Sequence, residues 1–132
     1  MIRILRGNAL TTTSPTNLGP TQGHKWKILF VFLEIAVAAS ITTADSIAAT
    51  RRLLINGGDA NADIYASVDS GLSANRYSAD MSVTPSSYVT THTQVNAYPE
   101  LSEFEALQIL VFNLNAGDSY SYYIVVDEVL VE

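Results

Sequence analysis

Apolar side chains are most concentrated in one run, Trp26-Lys27-Ile28-Leu29-Phe30-Val31-Phe32-Leu33-Glu34-Ile35-Ala36-Val37-Ala38-Ala39-Ser40. A transmembrane helix needs about 20 mostly apolar residues, whereas this run is shorter and carries Glu34 in its middle. Lys25, Lys27 and the small-residue triplet Ala36-Val37-Ala38 have the look of an export signal. Such a signal opens a chain, however, and here more than twenty polar, Pro- and Gly-bearing residues come first. Continuous Ile, Leu, Phe and Val suit a long central strand covered on both faces. A period of two then sets Trp26, Ile28, Phe30 and Phe32 together as core. A carboxylate inside such a strand is costly unless paired, so Glu34 is expected to meet solvent or a partner such as Arg51 or Arg52.

Downstream, the alternation continues in short units. Ser46–Ile55 would serve a helix or a strand. The strand reading is preferred because Asn56-Gly57-Gly58 is a hairpin signal, with Asp63–Val68 as the returning partner. Tyr77–Val83, stopped by Pro85, and the β-branched run Ser87–Val95 are two more strands. Ser102-x-x-Glu105 matches a capping box, which predicts one helical turn. Leu107–Leu114 sets Leu107, Ile109 and Val111 on one face. Asn115-Ala116-Gly117-Asp118 reads as a hairpin turn. Tyr120–Val131 closes the chain, with Tyr122, Ile124, Val126, Glu128 and Leu130 opposite Tyr123, Val125, Asp127, Val129 and Val131. The predicted core thus gathers Trp26, Ile28, Phe30, Phe32, Ile109, Val111, Ile124 and Val126. Seven or eight strands with Gly, Pro and Asn punctuation predict an all-β, single-domain antiparallel β-sandwich, jelly-roll-like.

The first 25 residues read differently. Gly7-Asn8 interrupts a possible strand through Ile2, Ile4 and Leu10, and Thr11–Gly23 is mostly Thr, Pro, Gly and Asn. The expectation is an extended N-terminal arm over residues 1–25, with the sandwich domain over 26–132; such an arm is either a disordered tail or a segment that orders on a neighbouring subunit.

Composition narrows the function classes. Apolar residues make up 48% and charged residues only 15%, against about 25% in ordinary soluble domains. The net charge is −6, and no Lys or Arg follows Arg76; this argues against a grip on nucleic acid. There is no cysteine, which removes disulfides and thiolate metal sites. Nucleotide-binding glycine patterns, His-Glu-x-x-His and Gly-x-Ser-x-Gly are all missing from the sequence. His24 and His92 are the only histidines and read as surface residues. A calcium site needs several oxygens converging from loops, and turn geometry accounts for Asn115, Gly117 and Asp118 without an ion. No catalytic residue, cofactor or metal site is expected. Tyr120, Tyr122 and Tyr123 offer amphipathic contact area suited to an interface, or to a sugar in a carbohydrate-binding module.

Two groups of residues carry a resemblance. The first is Gly19-Pro20, Gly23-x-x-Trp26-Lys27-Ile28-Leu29, Ala38-Ala39-Ser40-Ile41 and Thr50-Arg51-Arg52-Leu53. The second is Leu114-Asn115-Ala116-Gly117-Asp118-Ser119-Tyr120 with Val126-Asp127-Glu128-Val129-Leu130. Together, over residues 19–132, they resemble small β-sandwich virion proteins of tailed bacteriophages, with a departure from clean alternation around Glu34. The resemblance implies a decoration or cement protein, made in the host cytoplasm, that binds the outside of a capsid and stabilises it. Its implied partners are the major capsid protein or other virion proteins and further copies of itself, a trimer being the favoured oligomer. Nucleic acid and membrane are not implied partners. The implied interface is Ile2, Ile4, Leu10, Pro15, Leu18, Tyr120 and Tyr122. A tail, baseplate or fibre component with the same fold is the neighbouring alternative.

Overall fold

The computed structural model describes residues 1–53, 61–81 and 100–131. Among these residues nine strands follow in order: β1 (Ile2–Leu10), β2 (Thr16–Leu18), β3 (His24–Val37), β4 (Ser46–Leu53), β5 (Asn61–Asp69), β6 (Asn75–Met81), β7 (Glu100–Leu101), β8 (Glu105–Phe112) and β9 (Ser119–Leu130). Among the described residues there is no helix. Two antiparallel sheets pack face to face. The first has the order β1-β9-β3-β6, with short β7 also paired to β3, and the second has the order β2-β8-β4-β5. Among the described residues only β4 and β5 pair as sequence neighbours within one sheet, and most other connections cross from sheet to sheet. Setting β7 aside, this interleaving of eight strands is a jelly roll.

The 46–53 segment is a strand, as its alternation predicts, and β5 returns against it from Ser46↔Asp69 to Arg52↔Asn61. The Asn56-Gly57-Gly58 turn, the predicted strand Ser87–Val95, Pro85 and His92 lie outside the described residues. The capping-box hydrogen bonds form without a helix. Glu105 accepts from the Ser102 N–H at 2.9 Å and Ser102 Oγ from the Phe104 N–H at 3.3 Å, but the chain leaves this single turn directly into β8.

β3 is the central strand, flanked by β9 on one side and by β6 and β7 on the other. A β-bulge between Ile28 and Phe30 inserts one extra residue and flips every later side chain to the opposite face. Trp26 and Ile28 therefore point into the core, and so do Val31, Leu33, Ile35 and Val37. Phe30 and Phe32, expected inside by unbroken alternation, stand half-buried on the outer face instead. Ile109, Ile124 and Val126 are core as predicted, and Val111 packs partly buried against it.

The N-terminal stretch is not an arm. β1 pairs with β9 from Ile2↔Asp127 to Leu10↔Tyr120, and β2 pairs with β8 from Thr16↔Ile109 to Leu18↔Leu107. Gly7-Asn8 does not end β1. A register shift between Gly7 and Leu10, with Ala9 at φ 49°, absorbs the irregularity. Gly7 is needed for a separate reason: a Cβ there would collide with the Tyr122 ring and lie 2.7 Å from Leu10 Cδ1. The hydroxyl of Tyr120 donates to Thr12 O at 2.8 Å, fastening the β1–β2 connection to β9.

Candidate functional site

The bulge in β3 places Phe30 and Phe32 on the outer face of the first sheet, beside apolar and polar neighbours. Cross-strand register aligns Ile4, Val125 and Phe30 in one row, then Arg6, Tyr123, Phe32 and Asp80 in the next, then Ser121, Glu34 and Ser78. Ile2 and Ile4 are 56% and 50% exposed. Phe30 meets Tyr123 edge-on, with ring centroids 6.3 Å apart and planes at 68°. Arg6 lies over the other side of that neighbourhood, its Cζ 5.0 Å from the Tyr123 centroid. Between them runs a shallow, open groove of about 480 Å³ lined by Arg6, Asn8, Phe32, Glu34, Ser121 and Tyr123. Glu34 sits at its edge and pairs with Arg76 Nη1 at 2.6 Å. The partner is not Arg51 or Arg52, because β4 belongs to the other sheet; Arg51 pairs with Glu105 at 3.3 Å.

The expected interface residues do not form one patch. Ile2 and Ile4 are on this outer face, whereas Pro15 is exposed in the β1–β2 connection. Leu10 and Leu18 pack against the core. Tyr120 and Tyr122 are core residues, only 1% and 8% exposed, because β9 turns its even-numbered positions inward. Of the three clustered tyrosines, Tyr123 alone faces outward, so a sugar platform built from all three is ruled out by alternation. Of the outward residues Arg6, Phe30, Phe32, Tyr123 and Val125, only Tyr123 was singled out for contact by sequence, and Phe30 and Phe32 were expected in the core. Their signal is that β3 is apolar at both odd and even positions from Ile28 to Leu33, so that either register leaves apolar side chains on the outer face.

A polar node closes one end of the sandwich. Glu128 is buried, and its carboxylate accepts from Trp26 Nε1–H at 2.7 Å, from Arg3 Nη1 at 2.8 Å and from Thr21 Oγ1 at 3.1 Å. The indole hydrogen bond, helped by Thr21 and Arg3, holds the Glu128 carboxyl down at about 2 against the opposing effect of burial. Arg3 also stacks over Trp26, 5.6 Å from its centroid. At the other end, Asp45 and Asp118 sit in contact on crossing loops, 0% and 2% exposed. Burial, and then the neighbouring Asp118, push the Asp45 carboxyl up.

Two carboxyls in contact have the makings of an acid–base pair, but their burial closes them to a substrate. Among the described residues no group of three or more His, Cys, Asp or Glu is placed to hold a metal. His24 is half-buried near the chain start, its ring against Gln22 O at 3.1 Å. What the outer face can do is bind by contact. Comparison with protein-family models, curated proteins and solved structures returned no match for this chain. The class that fold and surface define is an all-β jelly-roll sandwich with aromatic side chains on the outer face of one sheet.

Proposed function

We propose that this chain is a non-enzymatic structural protein of a virion, which lays the outer face of its first sheet against the outside of a phage capsid and braces the shell. The observation that carries this reading is the continuous outward set Ile4, Phe30, Phe32, Tyr123 and Val125 on adjacent strands. Partly exposed apolar side chains that adjoin one another favour a protein contact, and aromatic residues are enriched at interface cores. Jelly rolls build both viral shells and lectins, so fold by itself does not choose between them. The sequence resemblance and the low charge favour the shell. A cement protein works by multiplying modest contacts over a symmetric lattice, which asks for such a surface and for no reactive group.

The groove beside Tyr123 supports a second reading. An aromatic ring flanked by Arg6, Asn8 and Glu34 has the stacking and hydrogen-bonding groups to hold a sugar. Co-sedimentation with purified shells of the encoding virus separates the two. On the capsid reading the wild-type protein pellets at a fixed ratio to shell subunits, and folded Phe32→Thr and Tyr123→Thr variants stay in the supernatant. Unchanged pelleting of both variants, or binding competed away by soluble glycans, overturns it.

A further inference from the structure

We propose that the loop cluster around Asp45 and Asp118 binds one divalent cation of the calcium class between the Oδ2 atoms of the two carboxylates. Asp45 leads into β4 and Asp118 into β9, each at the end of a loop that crosses from one sheet to the other. Both Oδ1 atoms accept hydrogen bonds. Asp45 Oδ1 accepts from the Asn115 backbone N–H at 2.9 Å and from its Nδ2 at 2.6 Å, and Asp118 Oδ1 accepts from the Ala38 N–H at 3.0 Å. The Oδ2 atoms are different: both are buried and neither has a hydrogen-bond donor, and the two carboxyls lie against each other. Among the described residues no Lys or Arg forms an ion pair with either.

Two touching, buried carboxylates cannot both stay charged without a counter-charge. A hard cation takes carboxylate, carbonyl and water oxygens, and the loops next to Asp45 carry oxygens that already accept hydrogen bonds from Asn115 and Asp45. Thr43 O and Asn113 O lie 2.7 and 3.2 Å from Asn115 Nδ2, and Ser70 Oγ lies 2.9 Å from the Asp45 N–H. All are oxygens, from three separate connections. Calcium tolerates irregular oxygen shells, whereas magnesium demands near-octahedral geometry and keeps its waters. With two carboxylates only, the affinity belongs to the weak range of about 10⁻⁴–10⁻³ M. A bound ion would clamp the β3–β4, β5–β6 and β8–β9 connections together, tying the two sheets at this end. The proposal does not depend on the capsid reading.

Thermal unfolding of the full chain after chelator treatment, at pH 7.5 with 0–10 mM CaCl2 or MgCl2, tests it. The expected result is a Tm that climbs by about 4–10 °C with calcium, a smaller response to magnesium, and no calcium response in Asp118→Asn. Calorimetric titration of the wild-type protein, expected to give one site, keeps the test valid if that variant folds poorly. A calcium-insensitive wild type overturns the proposal, as does an equal rise in Asp118→Asn. Asp118→Asn more stable than a calcium-insensitive wild type at pH 8 would mean that the pair holds a shared proton only.

Discussion

Replacing Leu33 and Phe32 separately tests the bulge that shapes the outer face. The two residues are adjacent, both large and apolar, and unbroken alternation from Trp26 would put Phe32 inside and Leu33 outside. The structure has them the other way round, with Leu33 fully buried and Phe32 half-buried. Leu33→Ala removes buried methyl and methylene groups, worth roughly 0.8 kcal/mol each, and leaves a cavity between the sheets, for a loss of about 3–5 kcal/mol. Phe32→Thr keeps a β-branched side chain suited to a strand and gives up about half of a Phe side chain's burial, about 1 kcal/mol. No closed void follows, because the outer face is open. Urea unfolding with a slope of about 2 kcal/mol/M would shift the midpoint by roughly 2 M for Leu33→Ala and roughly 0.5 M for Phe32→Thr. Equal losses, or a larger loss for Phe32→Thr, would refute the bulge and the surface built on it.

Two further perturbations probe the ends of the sandwich. The Glu128 carboxyl lies at about 2 in the folded chain rather than the ordinary 4.5, so its charge stabilises the fold above the ordinary value, and that contribution fades as pH falls from about 4.5 toward 2. Glu128→Gln should therefore lower Tm at pH 7 and converge with wild type near pH 2; a gap that does not narrow in acid would contradict the node. Gly7→Ala forces a Cβ into the Tyr122 ring and should cost about 1–3 kcal/mol, read as a lower urea midpoint at unchanged slope. A neutral Gly7→Ala would show that β1 does not pack as an internal part of the first sheet.

Much of the fold was legible because burial on one face enforces a period of two. In β9 alternation groups Tyr122, Ile124, Val126 and Glu128 on one face and puts Ile124 and Val126 in the core, where the structure has them, although Tyr122 was expected at an interface; Ser46–Leu53 with its returning strand follows from the turn signal between them. The failures have physical causes. β1 carries Ile2 and Ile4 outward and Arg3 inward, the inverse of ordinary patterning, because Arg3 serves the buried Glu128 carboxylate and the Trp26 ring. A segment with inverted polarity reads as an arm when it is a strand. The bulge leaves no mark in the apolar run Ile28-Leu29-Phe30-Val31, where any register buries something apolar. Asn115-Ala116-Gly117-Asp118 has hairpin chemistry, and Gly117 does take φ 88°, yet the turn joins strands of different sheets. Local sequence sets a turn's conformation but not where the next strand pairs. For the same reason the meeting of Asp45 with Asp118, and of Glu34 with Arg76, came from topology alone.

The capsid reading is tested most directly by cryo-electron microscopy of purified virions of the encoding virus. The expected result is regularly spaced copies of this jelly roll on the outer shell surface, with Phe32, Tyr123 and Val125 turned toward the shell. Particles lacking the chain, or carrying it with that sheet face open to solvent, would contradict it.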